Sequence, residues 1–197
     1  MKKFLSLLSL ILFYGQLSLA QVTWHVDPAH SYVHFSINHL GISMVDGQFR
    51  KLEGTVLSKT DQEFNESTIN FTIDVNSIDT RVEARDKHLK SEDFFAAEKF
   101  PQISFKNAVL KRTEQGKYQL EGDLTMKDVT KKVQFDVIQN NGIIQDPWGK
   151  MRAGFTAKLT LNRFDYHISY DDKLPSGVPS VASEVNITVN VEVVKQE

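Results

Sequence analysis

Apolar and polar side chains alternate at every second residue through most of this chain, and no other feature restricts its fold as much. Val33, Phe35 and Ile37 share one phase while Tyr32, His34, Ser36 and Asn38 take the other, the mark of a strand with one face in a core and one in water. The pattern returns at Ile69, Phe71, Ile73 and Val75, at Val133, Phe135 and Val137, at Phe155, Ala157, Leu159 and Leu161, and from Val185 to Val193. Further strands are expected over Gly47 to Leu57, Gln102 to Leu110 and Lys117 to Met126, with turns at Glu114-Gln115-Gly116 and Asn140-Asn141-Gly142. About eight strands in series, mostly linked as hairpins, predict an all-β antiparallel barrel or sandwich. One region breaks the rhythm. Thr80-Arg81-Val82-Glu83 has a capping-box pattern, which predicts a short helix over Val82 to Leu89, ending before Phe94. Pro175 and Pro179 bracket a second irregular loop before the last strand.

The first twenty residues stand apart. Lys2 and Lys3 precede an apolar stretch from Phe4 to Tyr14, and Ser18-Leu19-Ala20 places small residues where a signal peptidase reads. This predicts a cleavable signal peptide over residues 1–20 and one mature domain over 21–197. No other apolar run approaches the roughly 20 residues of a membrane span, so the mature protein is expected to carry no transmembrane segment. No cysteine follows the apolar stretch to accept a lipid, and the short Lys-Lys region has a bacterial character, so export to the periplasm is expected, with secretion to the medium as the second reading.

Composition removes whole classes of function. The 23 basic and 25 acidic side chains nearly balance, which argues against a nucleic-acid partner, and 41% hydrophobic residues are too many for a disordered chain. The absence of cysteine excludes thiolate metal sites, cysteine nucleophiles and disulfides. His30 and His34 lie four apart on what reads as a strand, and no His-Glu-x-x-His or Gly-x-Ser-x-Gly pattern occurs. Ser31, His30 and Asp27 have the composition of a catalytic triad, but neighbours on one strand point to opposite faces. No catalytic residue, metal or cofactor is expected.

Thirteen phenylalanines fall mostly on the apolar phases or in the Phe94-Phe95 pair. A closed barrel of about eight strands can be filled by its side chains or can hold one small ligand, and patterning alone leaves both open.

A series of separated motifs reaches further. They are Trp24-His25-Val26-Asp27-Pro28-Ala29-His30-Ser31, the Val33 to Gly41 strand, Val45-Asp46-Gly47-Gln48-Phe49 with Gly54, Ser77-Ile78-Asp79-Thr80, the Arg85 to Phe95 segment and Phe100-Pro101-Gln102-Ile103-Ser104-Phe105. Gly122-Asp123-Leu124-Thr125-Met126, Val129-Thr130-Lys131 and Asn162-Arg163-Phe164-Asp165 complete the set. In this order they resemble the YceI-like, polyisoprenoid-binding family over nearly all of the mature chain. The resemblance implies a lipocalin-like antiparallel β-barrel with a helical insertion, often exported and often dimeric, whose long tunnel holds an isoprenoid chain. Asp128, Lys132 and His167 depart from the family, which commonly has glycine, proline and glycine there. An aspartate can take the left-handed backbone of a glycine turn.

Strand phase and the resemblance together nominate Phe35, Ile37, Phe71, Ile73, Phe94, Phe95, Phe105, Phe135, Phe155 and Leu159 as tunnel lining. His39 shares the inward phase of Phe35, with a solvated strand end as the structural alternative. Arg85, His88 and Arg163 are candidates for a polar head group; helix capping with an Arg85–Asp86 surface pair, and a buried Arg163–Asp165 pair, are the structural alternatives. The expected function is non-catalytic binding, storage or transport of a long-chain isoprenoid lipid, either a polyprenyl compound or an isoprenoid quinone. The alternatives are an enzyme acting on such a lipid through His39, Arg85, Asp86 or His88, and an interaction protein with a filled core and no ligand. Burial contributes roughly 0.8 kcal/mol per methylene, which for a long tail would exceed the ceiling of about −18 to −21 kcal/mol seen for non-covalent complexes. Specificity therefore depends on where the tunnel closes and on the polar groups at its mouth.

Overall fold

The structure, a computed structural model, describes residues 21–197, and the signal peptide expected over residues 1–20 lies outside the described residues. Its strands are β1 (Val22–Val26), β2 (Tyr32–His39), β3 (Ser43–Phe49), β4 (Leu52–Ser58), β5 (Ser67–Asp74), β6 (Ile78–Asp79), β7 (Gln102–Glu114), β8 (Lys117–Met126), β9 (Val129–Gln145), β10 (Met151–Asn162) and β11 (Val181–Lys195), with one helix, α1 (Glu83–Lys90). Every pairing is antiparallel.

Several of these strands are segments of longer staves. β1 and β2 lie end to end along one edge of β11, with Trp24 opposite Lys195 and Val33 opposite Val189. β3 and β4 follow end to end beside them, and β6 and β5 beside those, with Phe49 opposite Ile78 and Leu52 opposite Ile73. With β7 to β11 this makes eight staves in chain order, the last paired to the first, which is a closed up-and-down barrel. The 47–57 strand read from sequence is thus two segments, interrupted at 50–51. Two of the three breaks have evident local causes. Pro28 has no N–H to give a ladder, and the Asp27 carboxylate accepts from Ala29 N at 2.9 Å, turning the chain between β1 and β2. Asp74 Oδ1 accepts from Asn76 N at 2.9 Å and starts the 3₁₀ turn Val75–Ser77 between β5 and β6.

The first break is closed by charge. Arg152 Nη1 donates to Asp27 Oδ2 at 2.6 Å and to Glu192 Oε1 at 2.5 Å, while its Nε donates to Asp146 Oδ2 at 2.6 Å. Burial would raise the Asp27 carboxyl, but hydrogen bonds from Arg152, His30 and the Ala29 amide together hold it at about 2. The Asp146 carboxyl is likewise held below its ordinary range, chiefly by Arg152.

Two local expectations are corrected. Asn140-Asn141-Gly142 does not turn the chain: β9 runs through it, and the register against β10 shifts there, with Asn141 at φ 53° and Gly142 at φ 72°. The left-handed residues that suit a hairpin turn serve equally to absorb an inserted residue in a bulge, and the real turn follows at Asp146. The capping box also does not form. The helix N-cap is Val82, without a side-chain bond, because Thr80 is drawn instead into contacts with Asp86 and Arg85. Among the described residues no helix is long and apolar enough to cross a membrane.

Candidate functional site

The inward phases of the staves enclose a cavity of about 480 Å³, within the usual range of about 300–1,000 Å³ for ligand sites. The interior is therefore not filled by its side chains. Phe35, Ile37, Phe71, Ile73, Phe105, Phe135 and Phe155 border it from the strands, and Phe94 and Phe95 border it from the segment after α1. His39 keeps the inward phase and borders it too, as do Arg85, His88 and Arg163. Leu159 does not: it packs against the core layer from β10, while Phe155, Ala157 and Leu161 of the same phase reach the lumen. Strand phase sets the direction of a side chain, and its neighbours decide whether it reaches open space.

The lumen stays open because glycines let aromatic rings lie flat on the wall. Gly47 stands opposite Phe35 and Gly54 opposite Phe71. A Cβ at Gly47 would lie 2.3 Å from Phe35 Cζ, and one at Gly54 would lie 2.0 Å from Phe71 Cδ1 and 2.5 Å from the Asn70 carbonyl oxygen. Each ring occupies the place of the missing side chain on the next stave. Other rings meet edge to face, Phe105 with Phe135 at 5.4 Å and Phe49 with Phe95 at 5.6 Å, an arrangement aromatic quadrupoles favour.

One end is closed by a residue the strand pattern does not reveal. Phe64 lies in the 59–66 loop, is fully buried and borders the cavity. Its ring sits edge-on to Phe155 at 5.0 Å and tilted against Trp24 at 4.9 Å. Trp24 is itself fixed by Nε1 donating to Ser58 Oγ at 2.9 Å. A lone aromatic in the polar run Thr60-Asp61-Gln62-Glu63-Phe64-Asn65 is the signal that could have found it.

Polar groups gather at the opposite end. Phe94 stacks on Tyr170 at 4.9 Å, and the His88 ring stands edge-on to both. His88 Nε2 lies 2.9 Å from Asp93 Oδ2. Arg85 donates from Nε to Thr80 Oγ1 and from Nη2 to the Thr80 carbonyl, both at 2.8 Å. Thr80 in turn donates from Oγ1 and N to Asp86 Oδ1 at 2.5 and 2.8 Å. Arg85 and Asp86 are thus joined through Thr80 rather than to each other, so the expected surface pair does not occur.

Arg163 also has a different partner set from the expected one. Asp165 pairs with Lys131 at 2.7 Å, while Arg163 donates from Nε to Ala182 O (2.8 Å), from Nη1 to Ile168 O (2.7 Å) and from Nη2 to Val181 O (3.2 Å). It is 3% exposed, and among the described residues no carboxylate pairs with it. Burial lowers the affinity of its guanidinium for the proton, against the opposing field of Asp171. The group stays charged at any physiological pH. Two of the three departures named from the sequence meet here: His167 Nδ1 lies 3.1 Å from Asp128 Oδ1, and the left-handed residues are His167, at φ 55°, and Lys127, at φ 52°, rather than Asp128.

The arrangement is suited to holding an apolar chain. His30 lies in the turn between β1 and β2, not on a strand, with Nδ1 3.0 Å from Asp27 Oδ2, and Ser31 Oγ bonds the Glu192 backbone instead of His30. Asp27, His30 and Glu192 form the one grouping of metal-ligand type among the described residues. It lies outside the tunnel, and the Arg152 guanidinium already provides the positive charge between its two carboxylates.

The profile of the YceI-like domain family matches residues 24–193. The chain is 36% identical to protein YceI of Salmonella arizonae over 98% of its own length and 96% of that protein's. Its fold superposes on the crystal structure of Burkholderia cenocepacia BcnA with a TM-score of 0.70 at 23% identity, covering 85% of this chain and 98% of that one. A polyisoprenoid binding domain from Saccharophagus degradans, implicated in plant cell wall breakdown, matches with a TM-score of 0.60 at 13% identity, over 88% and 98% of the two chains. At these two identities the likeness is one of fold.

Proposed function

The chain belongs to the YceI-like family, and from that premise we propose that its barrel binds and carries a long-chain isoprenoid lipid, a polyprenyl compound or an isoprenoid quinone, without altering it chemically. The observation that carries the reading is the cavity, whose wall is mostly phenylalanine, leucine, isoleucine and valine, its arginines and histidines being Arg85, Arg163, His39 and His88. An isoprenoid tail has no hydrogen-bonding group, so a dry apolar lumen suits all of it, and each methylene removed from water contributes roughly 0.8 kcal/mol. The polar mouth then receives the head group. His39, Arg85, His88 and Arg163 supply donors there, and guanidinium suits a phosphate or carbonyl oxygen. Arg85 and Asp86 are both engaged with Thr80, which argues against that pair as the acid–base couple of the enzyme alternative and leaves it only the histidines, His39 and His88. The signal-peptide pattern supports a periplasmic site of action.

The test is mass spectrometry of an organic extract from residues 21–197, purified from the periplasm without detergent. Recovery of one stoichiometric prenyl lipid is expected. An empty protein that also takes up no prenyl lipid from vesicles would overturn the reading.

A further inference from the structure

We infer that Phe64 is a fixed floor that sets the length of apolar chain the tunnel accepts, with Arg112 as its positioning residue. This rests on the lipid-binding reading above and adds to it the element that limits its substrate. Phe64 borders the cavity, whereas Trp24, directly behind it, does not. The ring is therefore the last surface a chain meets before the end of the barrel.

Three sets of bonds hold the floor still. Arg112 of β7 clamps both sequence neighbours of Phe64, its amide donating to Asn65 Oδ1 at 2.9 Å and its Nη2 to Glu63 Oε2 at 3.0 Å. The backbone closes beside it, Glu66 N donating to Leu110 O at 2.7 Å and Ser67 N to Phe64 O at 3.1 Å. Lys195 of the last strand donates to Asp61 Oδ2 at 2.6 Å, tying the loop across the barrel seam. An aromatic ring fixed at the bottom of a close-packed wall cannot yield to a longer chain without displacing Trp24, and interiors of this density tolerate little change in volume. Any chain longer than the lumen must leave its surplus in water at the mouth, where it adds nothing to binding.

The experiment loads the protein from phosphatidylcholine vesicles carrying geraniol, farnesol, geranylgeraniol or longer prenyl alcohols, and reads occupancy by mass spectrometry. In the wild type, occupancy rises with each isoprene unit and then levels off. In Phe64→Ala the levelling-off moves about one unit longer, and the first alcohol too long for the wild type gains at least about tenfold, the gain from burying even two of that unit's carbons. Phe64→Leu gives a smaller shift in the same direction and serves if the alanine variant does not fold. Arg112→Ala alters no lining side chain, since Arg112 is exposed outside the lumen; it removes the Glu63 contact while the residue-112 amide keeps its bond to Asn65, so it extends the levelling-off point by less than Phe64→Leu does. If the wild type loads alcohols with a clear limit but Phe64→Leu and Arg112→Ala keep that limit, the floor lies elsewhere and this inference is wrong while the carrier reading stands. If the wild type loads none of them, the carrier reading fails and the floor falls with it.

Discussion

The two ends of the tunnel solve different problems with different chemistry. At the closed end Phe64, Trp24 and Phe155 pack ring against ring, and the polar bonds of Arg112 lie behind the apolar surface. At the mouth the order is reversed: Arg163 stands at the cavity wall itself and binds the backbone carbonyls of Ile168, Val181 and Ala182. The closed end owes its position to ring packing backed by the bonds of the 59–66 loop to β7 and β11. The mouth is irregular chain held by Arg163 and a few local bonds, such as Leu40 N to Ser180 O and Ser180 N to Asp172 O, and irregular segments of this kind open at lower free energy than core strands. On the proposed carrier reading, this asymmetry would let one end exclude water while the other exchanges the ligand.

The largest effect is expected at the closed end. Trp24→Ala removes a fully buried ring and should cost about 3–5 kcal/mol, with denaturant midpoints from near- and far-ultraviolet circular dichroism falling together. Separate transitions for the two probes would contradict the assignment of this end to the cooperative core. Arg163→Met comes next. It leaves three carbonyls without their donor, and the cost of buried unsatisfied groups is about 1–3 kcal/mol each, offset where the freed loop reaches water. Hydrogen exchange should accelerate across residues 167–182 before the barrel strands respond. Uniform acceleration throughout the chain would erase the distinction between the ends.

Gly54→Ala tests the wall between them. Its Cβ meets both the Phe71 ring and the Asn70 carbonyl, so the ring must turn into the lumen, at about 1–3 kcal/mol of overpacking. Prenyl loading should fall more than stability does, and unchanged loading would mean that the flat rings do not keep the lumen open. The smallest effect concerns acid. Because the folded Asp27 carboxyl sits at about 2, below its ordinary 3.8, its contribution is fully present above about pH 4 and is lost as pH falls toward about 2. Solvent screening limits this to on the order of 1 kcal/mol. Asp27→Asn should flatten that part of the stability profile, and a profile that stays equally steep would move the acid sensitivity to other carboxylates.

The contrast between the ends also marks what could be read from the residues alone. The inward faces of β2, β5, β7, β9 and β10 follow from two-residue periodicity, which depends only on local backbone geometry. That is why Phe35, Phe71, Phe105, Phe135 and Phe155 were identifiable as wall residues, and why the count of about eight strands survives as eight staves. The same rule overreached at Leu159, which packs partly buried against the core without bordering the cavity. Turn chemistry was equally local and equally ambiguous at Asn141-Gly142, where a left-handed pair serves a bulge.

Partners across the fold were not legible in this way. Arg163 passes over Asp165, two residues away, for carbonyls beyond its own 3₁₀ turn, Arg163–Tyr166, and Thr80 abandons the cap for Asp86. Asp128 and His167, each a departure when read along the chain, meet through space. The alternation of side chains by itself determined an all-β chain with one apolar face per strand, because that pattern is written into consecutive residues. Only the tertiary structure decided that the barrel is hollow, that Phe64 ends the hollow and that Arg163 borders its mouth. Those outcomes depend on which residues distant in sequence arrive at the same place, and on whether the volumes they bring fill it.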